Sequence, residues 1–311
     1  MTKAVKLTTV QMAEFAATGV LRFDALVPEP INLRFLEQLE TCLLPAQRSG
    51  ALPADPMAVY ATLMQQQALP AVVPGSPWRE AFASESALGQ LLRLPQVEGA
   101  IDSLVGPRAV VDHQFLHLTL PPKNSARETA QHYHQDSTID PRPNFDVQIM
   151  YFPHAVDAEM GGTRYLPGSH LRIVSESAIA RYQNIAGQQH VVCPAGTLLF
   201  LHHGIWHGGG ANRSKQRRFM WKLRLCPQEP QVRLWDTDDL PPDHLQQRPI
   251  FWTDPNADRD PVHAQLTRKQ PWFEADTSRL EYINRIKFWR RLLGDAQFDA
   301  DYWLTRLENE F

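Results

Sequence analysis

Six short apolar segments between residues 109 and 225 constrain the fold more than any other feature of the sequence. They are rich in Val, Phe, Leu and Thr, are bounded by Pro, Gly and Asn, and lie at 109–120, 147–152, 163–166, 189–193, 197–202 and 217–225. Segments of this length and composition between turn residues are typical of β-strands. Six of them in about 120 residues predict a β-sandwich or a β-barrel.

The helical patterns lie towards the two ends of the chain. Thr8 and Gln11 have the spacing of a capping box and Gly19 can end a helix, so a helix is expected between them. Leucines three to four residues apart predict a second helix over 31–44, and apolar residues at similar spacing predict a terminal helix over 280–293. These helices are expected to pack against the β-rich core.

The 311 residues are expected to form a single domain over 1–311, because β-barrels and β-sandwiches of about 200 to 250 residues are common as one unit. The expected parts are a mainly helical segment at 8–107, a β-rich core at 108–227 and an extension at 228–311 that ends in a helix. The predicted class is therefore mainly β with flanking helices.

The composition points to a small-molecule partner. Charged residues make up 21% of the chain and the formal net charge is −3, which favours neither nucleic acid nor an anionic membrane surface. No apolar run approaches the roughly 20 residues that a membrane span requires. Three cysteines lie far apart without a C-x-x-C pair, so a reducing compartment is expected and the protein is predicted to be cytoplasmic. The oligomeric state stays open.

The first chemical motif is a histidine and an aspartate two residues apart. If residues 131–136 are extended, His134 and Asp136 project from the same face, because side chains alternate along a strand. An imidazole and a carboxylate then converge on one point. His132 has the same parity, so the local sequence alone leaves open which histidine is the ligand.

The second motif is His207, which follows a predicted strand and is set among glycines. Two histidines and one carboxylate on one face of iron(II) leave coordination positions open for a 2-oxo acid and for dioxygen. His203 and His207 are four apart, as in a helical zinc site. Gly204 and the glycines at 208–210 argue against a helix there.

The third motif is an arginine on the last β-type segment, 217–225. Its apolar residues at 219, 221, 223 and 225 share one face, so Arg218 lies on the other. A guanidinium can bind a carboxylate through two parallel hydrogen bonds, which lysine cannot copy. Strand parity favours Arg218 over Arg217 for this role.

Taken together, the motifs resemble those of the phytanoyl-CoA dioxygenase family over roughly residues 8 to 227. His134 and Asp136 look like the family's His-x-Asp, and 161–170 (Gly-Gly-Thr-Arg-Tyr-Leu-Pro-Gly-Ser-His) looks like its glycine-rich strand. His207 is followed eleven residues later by Arg218, a spacing that matches the family's distal histidine and arginine.

The resemblance implies a double-stranded β-helix, also called a jelly roll and similar to cupins, with the metal at one open end. It implies iron(II) held by His134, Asp136 and His207, with 2-oxoglutarate held by Arg218 and dioxygen as the second co-substrate. The expected reaction is hydroxylation of an unactivated C–H bond of a small metabolite, with release of succinate and carbon dioxide. Asp136 argues against halogenation, because the family's halogenating relatives have a small residue there.

Weaker predictions concern the rest of the pocket. Gln114 is a candidate for the 2-oxoglutarate carboxylate, although packing is an equal alternative. Gln135, Tyr151, Phe152 and Trp206 are candidates for the substrate wall because they lie near the motifs in sequence. Two other functions stay open: a cupin-like metal-dependent isomerase or hydrolase, and a non-catalytic small-molecule binding protein on the same scaffold.

Overall fold

The computed structural model describes residues 3–48, 55–122, 130–136, 144–172, 176–180, 184–240, 260–272 and 277–295. Within these residues the helices are α1 Thr9–Thr18, α2 Glu29–Arg48, α3 Pro56–Gln65, α4 Trp78–Ala81, α5 Ala87–Leu92, α6 Pro95–Leu104, α7 Glu176–Ile179, α8 Pro261–Leu266 and α9 Thr277–Leu293. The strands are β1 Val20–Phe23, β2 Val110–Thr119, β3 Val147–Phe152, β4 Thr163–Tyr165, β5 Gln189–His190, β6 Thr197–His202, β7 His207–Gly209 and β8 Arg218–Cys226.

The strands form two antiparallel sheets. The larger sheet has the order β1-β6-β3-β8-β2 and the smaller one has the order β5-β4-β7. Residues 131–134 extend the smaller sheet beside β7, because the Gln131 N–H donates to the Gly209 carbonyl at 2.9 Å and His134 and His207 exchange two backbone hydrogen bonds. From β2 to β8 the chain passes repeatedly between the two sheets. This topology, with helices on the outside, confirms the predicted double-stranded β-helix.

The start of the chain folds as its local sequence dictates. Thr8 caps α1 through a complete capping box with Gln11, and the helix ends at Gly19 in the left-handed region. Gly19 has φ +72°, and a Cβ atom there would lie 2.6 Å from Nδ1 of His170. Glycine is therefore required both by the backbone conformation and by the close approach of the 169–171 turn.

The larger sheet has an apolar face towards the helices and a mixed face towards the smaller sheet. On β8, the side chains of Phe219, Trp221, Leu223 and Leu225 belong to the main core, where Phe82 contacts Trp221 edge-on at 5.6 Å between ring centroids. The alternate residues Arg218, Met220 and Lys222 line a cavity on the inner face. The predicted parity of this strand is therefore correct.

The strand predicted at 189–193 is shorter in the structure, and the predicted C-terminal extension is described only in part. The segment 189–193 forms a regular strand over Gln189–His190 alone, and Cys193 makes an isolated bridge with Val156. The terminal helix ends at Leu293 as predicted, and its Phe288 ring contacts Phe145 at 5.3 Å, so it packs into the core. Parts of the extension, at 241–259, 273–276 and 296–311, lie outside the described residues.

Among the described residues, no helix is both long and apolar enough to cross a membrane.

Candidate metal centre

Three predicted ligands meet at one end of the barrel. His134 and His207 are cross-strand partners in an isolated antiparallel bridge, and their ring centroids lie 4.4 Å apart. Asp136 Oδ1 lies 3.7 Å from His134 Nε2, and Asp136 Oδ2 lies 3.9 Å from His207 Nε2. One ligand atom from each residue lies within 4.8 Å of the other two. The group has the composition and spacing of the two-histidine, one-carboxylate site that suits non-haem iron(II).

Backbone carbonyls fix both imidazole rings. His134 Nδ1 lies 3.1 Å from the His132 carbonyl oxygen, and His207 Nδ1 lies 2.9 Å from the Ile205 carbonyl oxygen. A carbonyl can only accept, so each Nδ1 carries the proton and each Nε2 lone pair faces the group. Such outer contacts orient metal-binding histidines.

The protonation states also suit a metal. Burial lowers the pKa of His207 to about 4, against the opposing effect of Asp136, so the ring is neutral at pH 7. Burial raises the pKa of Asp136, but His207, Lys222 and His134 lower it, and the net result lies below the ordinary value. A neutral imidazole and an ionised carboxylate are the forms that bind a metal.

The neighbouring histidines stand apart from this group. His132 is exposed and is not one of its members, which favours His134 in the choice that parity had left open. His203 Nδ1 accepts a hydrogen bond from the Asp146 N–H at 2.9 Å. Residue 207 lies on β7, so the helical zinc site is excluded.

A cavity of about 240 Å³ opens beside the three ligands. Its walls come from both sheets and from the start of α3. The lining residues are Pro56, His117, Leu118, Thr119, Gln131, His134, Met150, Thr163, His207, Gly209, Gly210, Arg218, Met220 and Lys222.

Arg218 brings a buried positive charge into this cavity. Arg218 is 4% exposed, and its Nη2 donates to Thr119 Oγ1 at 2.8 Å. Nη1 lies 3.3 Å from the Met160 carbonyl oxygen, and Nε has no hydrogen-bond partner among the described residues. Burial lowers the pKa of Arg218 to about 10, so it remains charged at neutral pH. A buried guanidinium with an unused N–H is suited to binding an anion.

Arg217 points away from the cavity. Its Nη2 pairs with Glu40 Oε2 at 3.1 Å on the outer side of the larger sheet. The structure therefore separates the two adjacent arginines as strand parity predicted.

Residues 77–220 match the family model for phytanoyl-CoA dioxygenase. This segment belongs to the phytanoyl-CoA dioxygenase family. The predicted resemblance is confirmed for these residues, which are fewer than the expected 8–227. The match supports an oxygenase type of function that depends on iron and 2-oxoglutarate, and the composition of the ligand group fits it.

No curated protein matched the chain. Among solved structures, AviO1 from Streptomyces viridochromogenes Tue57 aligns with a TM-score of 0.49 and 16% identity over 71% of this chain and 94% of AviO1. HygX from Streptomyces hygroscopicus, with nickel and 2-oxoglutarate bound, aligns with a TM-score of 0.48 and 12% identity over 74% of this chain and 90% of HygX. Similarities at this level say nothing about the substrate of this phytanoyl-CoA dioxygenase segment.

Of the two roles considered for Gln114, packing is the one that its contacts fit. Gln114 lies on the helix-facing side of β2 in this phytanoyl-CoA dioxygenase segment, where its Oε1 accepts from the Trp221 indole at 2.9 Å and its Nε2 donates to the Pro70 carbonyl at 2.5 Å. Both ends of the amide are occupied away from the cavity. The residue has a structural role.

We expect Gln114→Leu to destabilise the protein by about 1 to 3 kcal/mol, because the buried Trp221 N–H would lose its acceptor. The affinity for 2-oxoglutarate should be unchanged. Denaturant unfolding and anaerobic 2-oxoglutarate titration of the same preparation measure the two effects. Weakened 2-oxoglutarate binding with normal stability would restore the original assignment.

The four candidates for the substrate wall do not line this cavity. Tyr151 faces the helices and donates to Asn32 Oδ1 at 2.6 Å, and Phe152 packs in the apolar cluster between the sheets. Trp206 stacks on Trp272 at 6.4 Å between centroids, in a separate cluster. Gln135 is buried but does not line the cavity. Being close to the ligands in sequence therefore does not place a side chain in the cavity.

Sequence reasoning missed two titratable residues of the cavity. Lys222 shares the inner face of β8 with Arg218, so the parity argument for Arg218 also applied to it. His117 on β2 is aligned with Met220 in the β2–β8 register, and its Nε2 has no partner among the described residues. Burial lowers the pKa of His117 to about 3, with Lys222 adding to the effect, so this ring is a neutral member of the wall.

Proposed function

We propose that the chain is an iron(II)- and 2-oxoglutarate-dependent dioxygenase that hydroxylates a C–H bond of a small molecule. The observation that carries the proposal is that a two-histidine, one-carboxylate group borders the same cavity as a buried arginine. Among the described residues, no carboxylate lies within 4 Å of the Arg218 guanidinium. One molecule bound in the cavity would therefore reach both the metal ligands and the Arg218 guanidinium.

Each residue has a distinct part in this proposal. His134, Asp136 and His207 would hold iron(II), which when bound supplies the oxidation chemistry and keeps three coordination positions for co-substrates. Arg218 would bind the distal carboxylate of 2-oxoglutarate. Thr119 Oγ1 accepts from Arg218 and keeps its own O–H to donate to the same carboxylate.

The apolar residues of the cavity would strengthen the binding of a carboxylate by Arg218. Met150 and Met220 belong to the apolar cluster between the sheets and line the cavity floor. They exclude water around the bound carboxylate, so its hydrogen bonds with Arg218 are stronger than they would be in bulk solvent.

The two alternatives predict different chemistry for the same residues. A metal-dependent isomerase or hydrolase could use the three ligands but has no use for a buried Arg218. A binding protein would take up metal and ligand without turnover. Succinate formation that depends on dioxygen separates both from the proposal.

The proposal predicts slow succinate release from iron(II), 2-oxoglutarate and dioxygen alone, and faster release when the true substrate is present. Screening small metabolites for that acceleration would identify the substrate class. With labelled dioxygen, one atom should enter succinate and the other the product, because hydroxylation inserts one atom.

Three outcomes would count against this function. Iron-loaded protein that binds 2-oxoglutarate but never forms succinate would be a binding protein. A product formed equally well without dioxygen would indicate isomerase or hydrolase chemistry. Turnover with no oxygen added to the product, or with chlorine added, would retain the oxygenase type and exclude hydroxylation.

A further inference from the structure

A buried lysine, Lys222, lies next to the three proposed metal ligands, and the proposed function gives it no role. Lys222 is 9% exposed and projects from the inner face of β8. This strand is paired on both sides, with Phe115 of β2 and Met150 of β3 aligned with Lys222. Both neighbours are apolar, so the ammonium group projects from a rigid strand between side chains that offer no strong hydrogen-bond acceptor.

The Lys222 ammonium contacts one of the proposed metal ligands, Asp136. Its Nζ donates to Asp136 Oδ2 at 3.3 Å, and among the described residues Asp136 is the carboxylate within 4 Å of it. A buried ammonium without a partner is costly, so the contact with Asp136 offsets part of the desolvation of Lys222. It also occupies one oxygen of the Asp136 carboxylate.

Asp136 is less firmly held than the two histidines. His134 and His207 are ordered by reciprocal backbone bonds and by carbonyl contacts to Nδ1. Asp136 follows the short strand, and its N–H donates to the His203 carbonyl at 3.3 Å. That contact restrains its backbone, and among the described residues Lys222 is the hydrogen-bond donor to its carboxylate. The Lys222 ammonium therefore supplies the restraint that fixes the carboxylate plane.

We propose that Lys222 is a positioning residue that holds Asp136 Oδ2 so that the carboxylate binds the metal through a single oxygen. A carboxylate that bound through both oxygens would take a coordination position that 2-oxoglutarate or dioxygen needs. Lys222 thereby keeps three positions open. This inference rests on the proposed function, because it concerns how the same ligand group receives its co-substrates.

The first test uses cobalt(II) alone, without 2-oxoglutarate. The visible absorption of bound cobalt(II) reports its coordination number, and a residue that only supported the fold would not change it. Lys222→Met should bind cobalt(II) with an altered spectrum, and Lys222→Arg, which retains a donor to Asp136, should restore the wild-type spectrum. Arg217→Met, which removes a charge beside the same strand on its outer side, should leave the spectrum unchanged.

The second test is an anaerobic titration of the iron(II) protein with 2-oxoglutarate. Lys222→Met is expected to weaken binding about tenfold, the lower end of the usual effect of a lost outer contact at a metal site. Lys222→Arg should restore most of that affinity. If Lys222→Met does not fold, Lys222→Leu also removes the donor to Asp136 and is expected to change both readouts in the same direction.

The outcomes separate this inference from the proposed function. An unchanged cobalt(II) spectrum in Lys222→Met would overturn the positioning role, and weakened 2-oxoglutarate binding with that unchanged spectrum would instead make Lys222 a direct contact of the co-substrate. Wild-type protein that binds no cobalt(II) or iron(II) would overturn the proposed function itself. Wild-type binding with a Lys222→Met variant identical in both tests would remove the inference alone.

Discussion

Replacing His134, Asp136 or His207 with alanine is expected to abolish succinate formation while the protein remains folded. Each substitution removes one of the three proposed metal ligands, which lie outside the main apolar core. A bound metal ion contributes several kcal/mol to transition-state stabilisation, so turnover should fall by at least about 10³-fold. Iron content, succinate yield and thermal unfolding of each variant measure the effect.

His132→Ala is the matched control for these variants. His132 has the same strand parity as His134 and Asp136, yet its side chain is exposed and lies outside the group. Its backbone carbonyl, which orients the His134 ring, is unaffected by the substitution. Normal iron content and succinate yield are expected. Retention of full activity in all three ligand variants, or its loss in His132→Ala, would contradict the ligand assignment.

Local rules and the family resemblance together predicted the ligand group. Alternation along an extended segment places His134 and Asp136 on one side, and the glycines after His207 allow a close approach of backbones. The Cβ of an alanine at 208 would lie 2.8 Å from the His132 carbonyl oxygen. The pairing of residues 131–134 with β7 then brings the three ligands together. That pairing joins segments far apart in sequence, and the family resemblance predicted it where local rules could not.

Gln114 shows where short-range rules were incomplete. Its parity on β2 is that of Leu116 and Leu118, two apolar residues, and this pattern already indicated the helix-facing side. Its position before the iron motif in sequence points to the site, whereas the alternation of side chains points to packing. The polar residues of β2 that line the cavity, His117 and Thr119, depend on the β2–β8 register, which includes an irregularity between Val111 and His113. The sequence does not specify such a register.

Position along a strand is a second kind of information that the sequence lacks. Met150 and Phe152 project from the same face of β3, but the cavity reaches Met150 and not Phe152. Parity gives the face, whereas the depth of a cavity depends on how the two sheets are packed. Trp206 is different, since it directly precedes His207 and alternation alone places it on the opposite side.

The sequence alone does not show that Lys222 is a buried residue of the site. A lysine on a strand is usually exposed to solvent, and a single lysine among apolar residues does not indicate burial. Its parity with Arg218 placed it on the inner face, but only the packed structure shows that Asp136 is the group that it contacts.

The second large effect is expected at Arg218. Arg218→Ala should weaken 2-oxoglutarate binding by about 2 to 4 kcal/mol, or roughly 30- to 700-fold, the usual range on removing one partner of a buried charged pair. Arg218→Lys should recover part of the loss, because lysine keeps the charge but not the planar pair of donors. Anaerobic titration of the iron(II) protein with 2-oxoglutarate measures each affinity.

Arg217→Ala is the control for this series, since it removes the adjacent guanidinium from the outer side of the sheet. Its partner Glu40 is 41% exposed and solvent screens the pair, so little change in stability and none in 2-oxoglutarate affinity is expected. The contrast between neighbours separates binding within the cavity from a general effect of positive charge. Equal losses in the two variants would show that the anion binds elsewhere, and the larger loss at Arg217 would mean that the inner face of β8 had been assigned to the wrong residues.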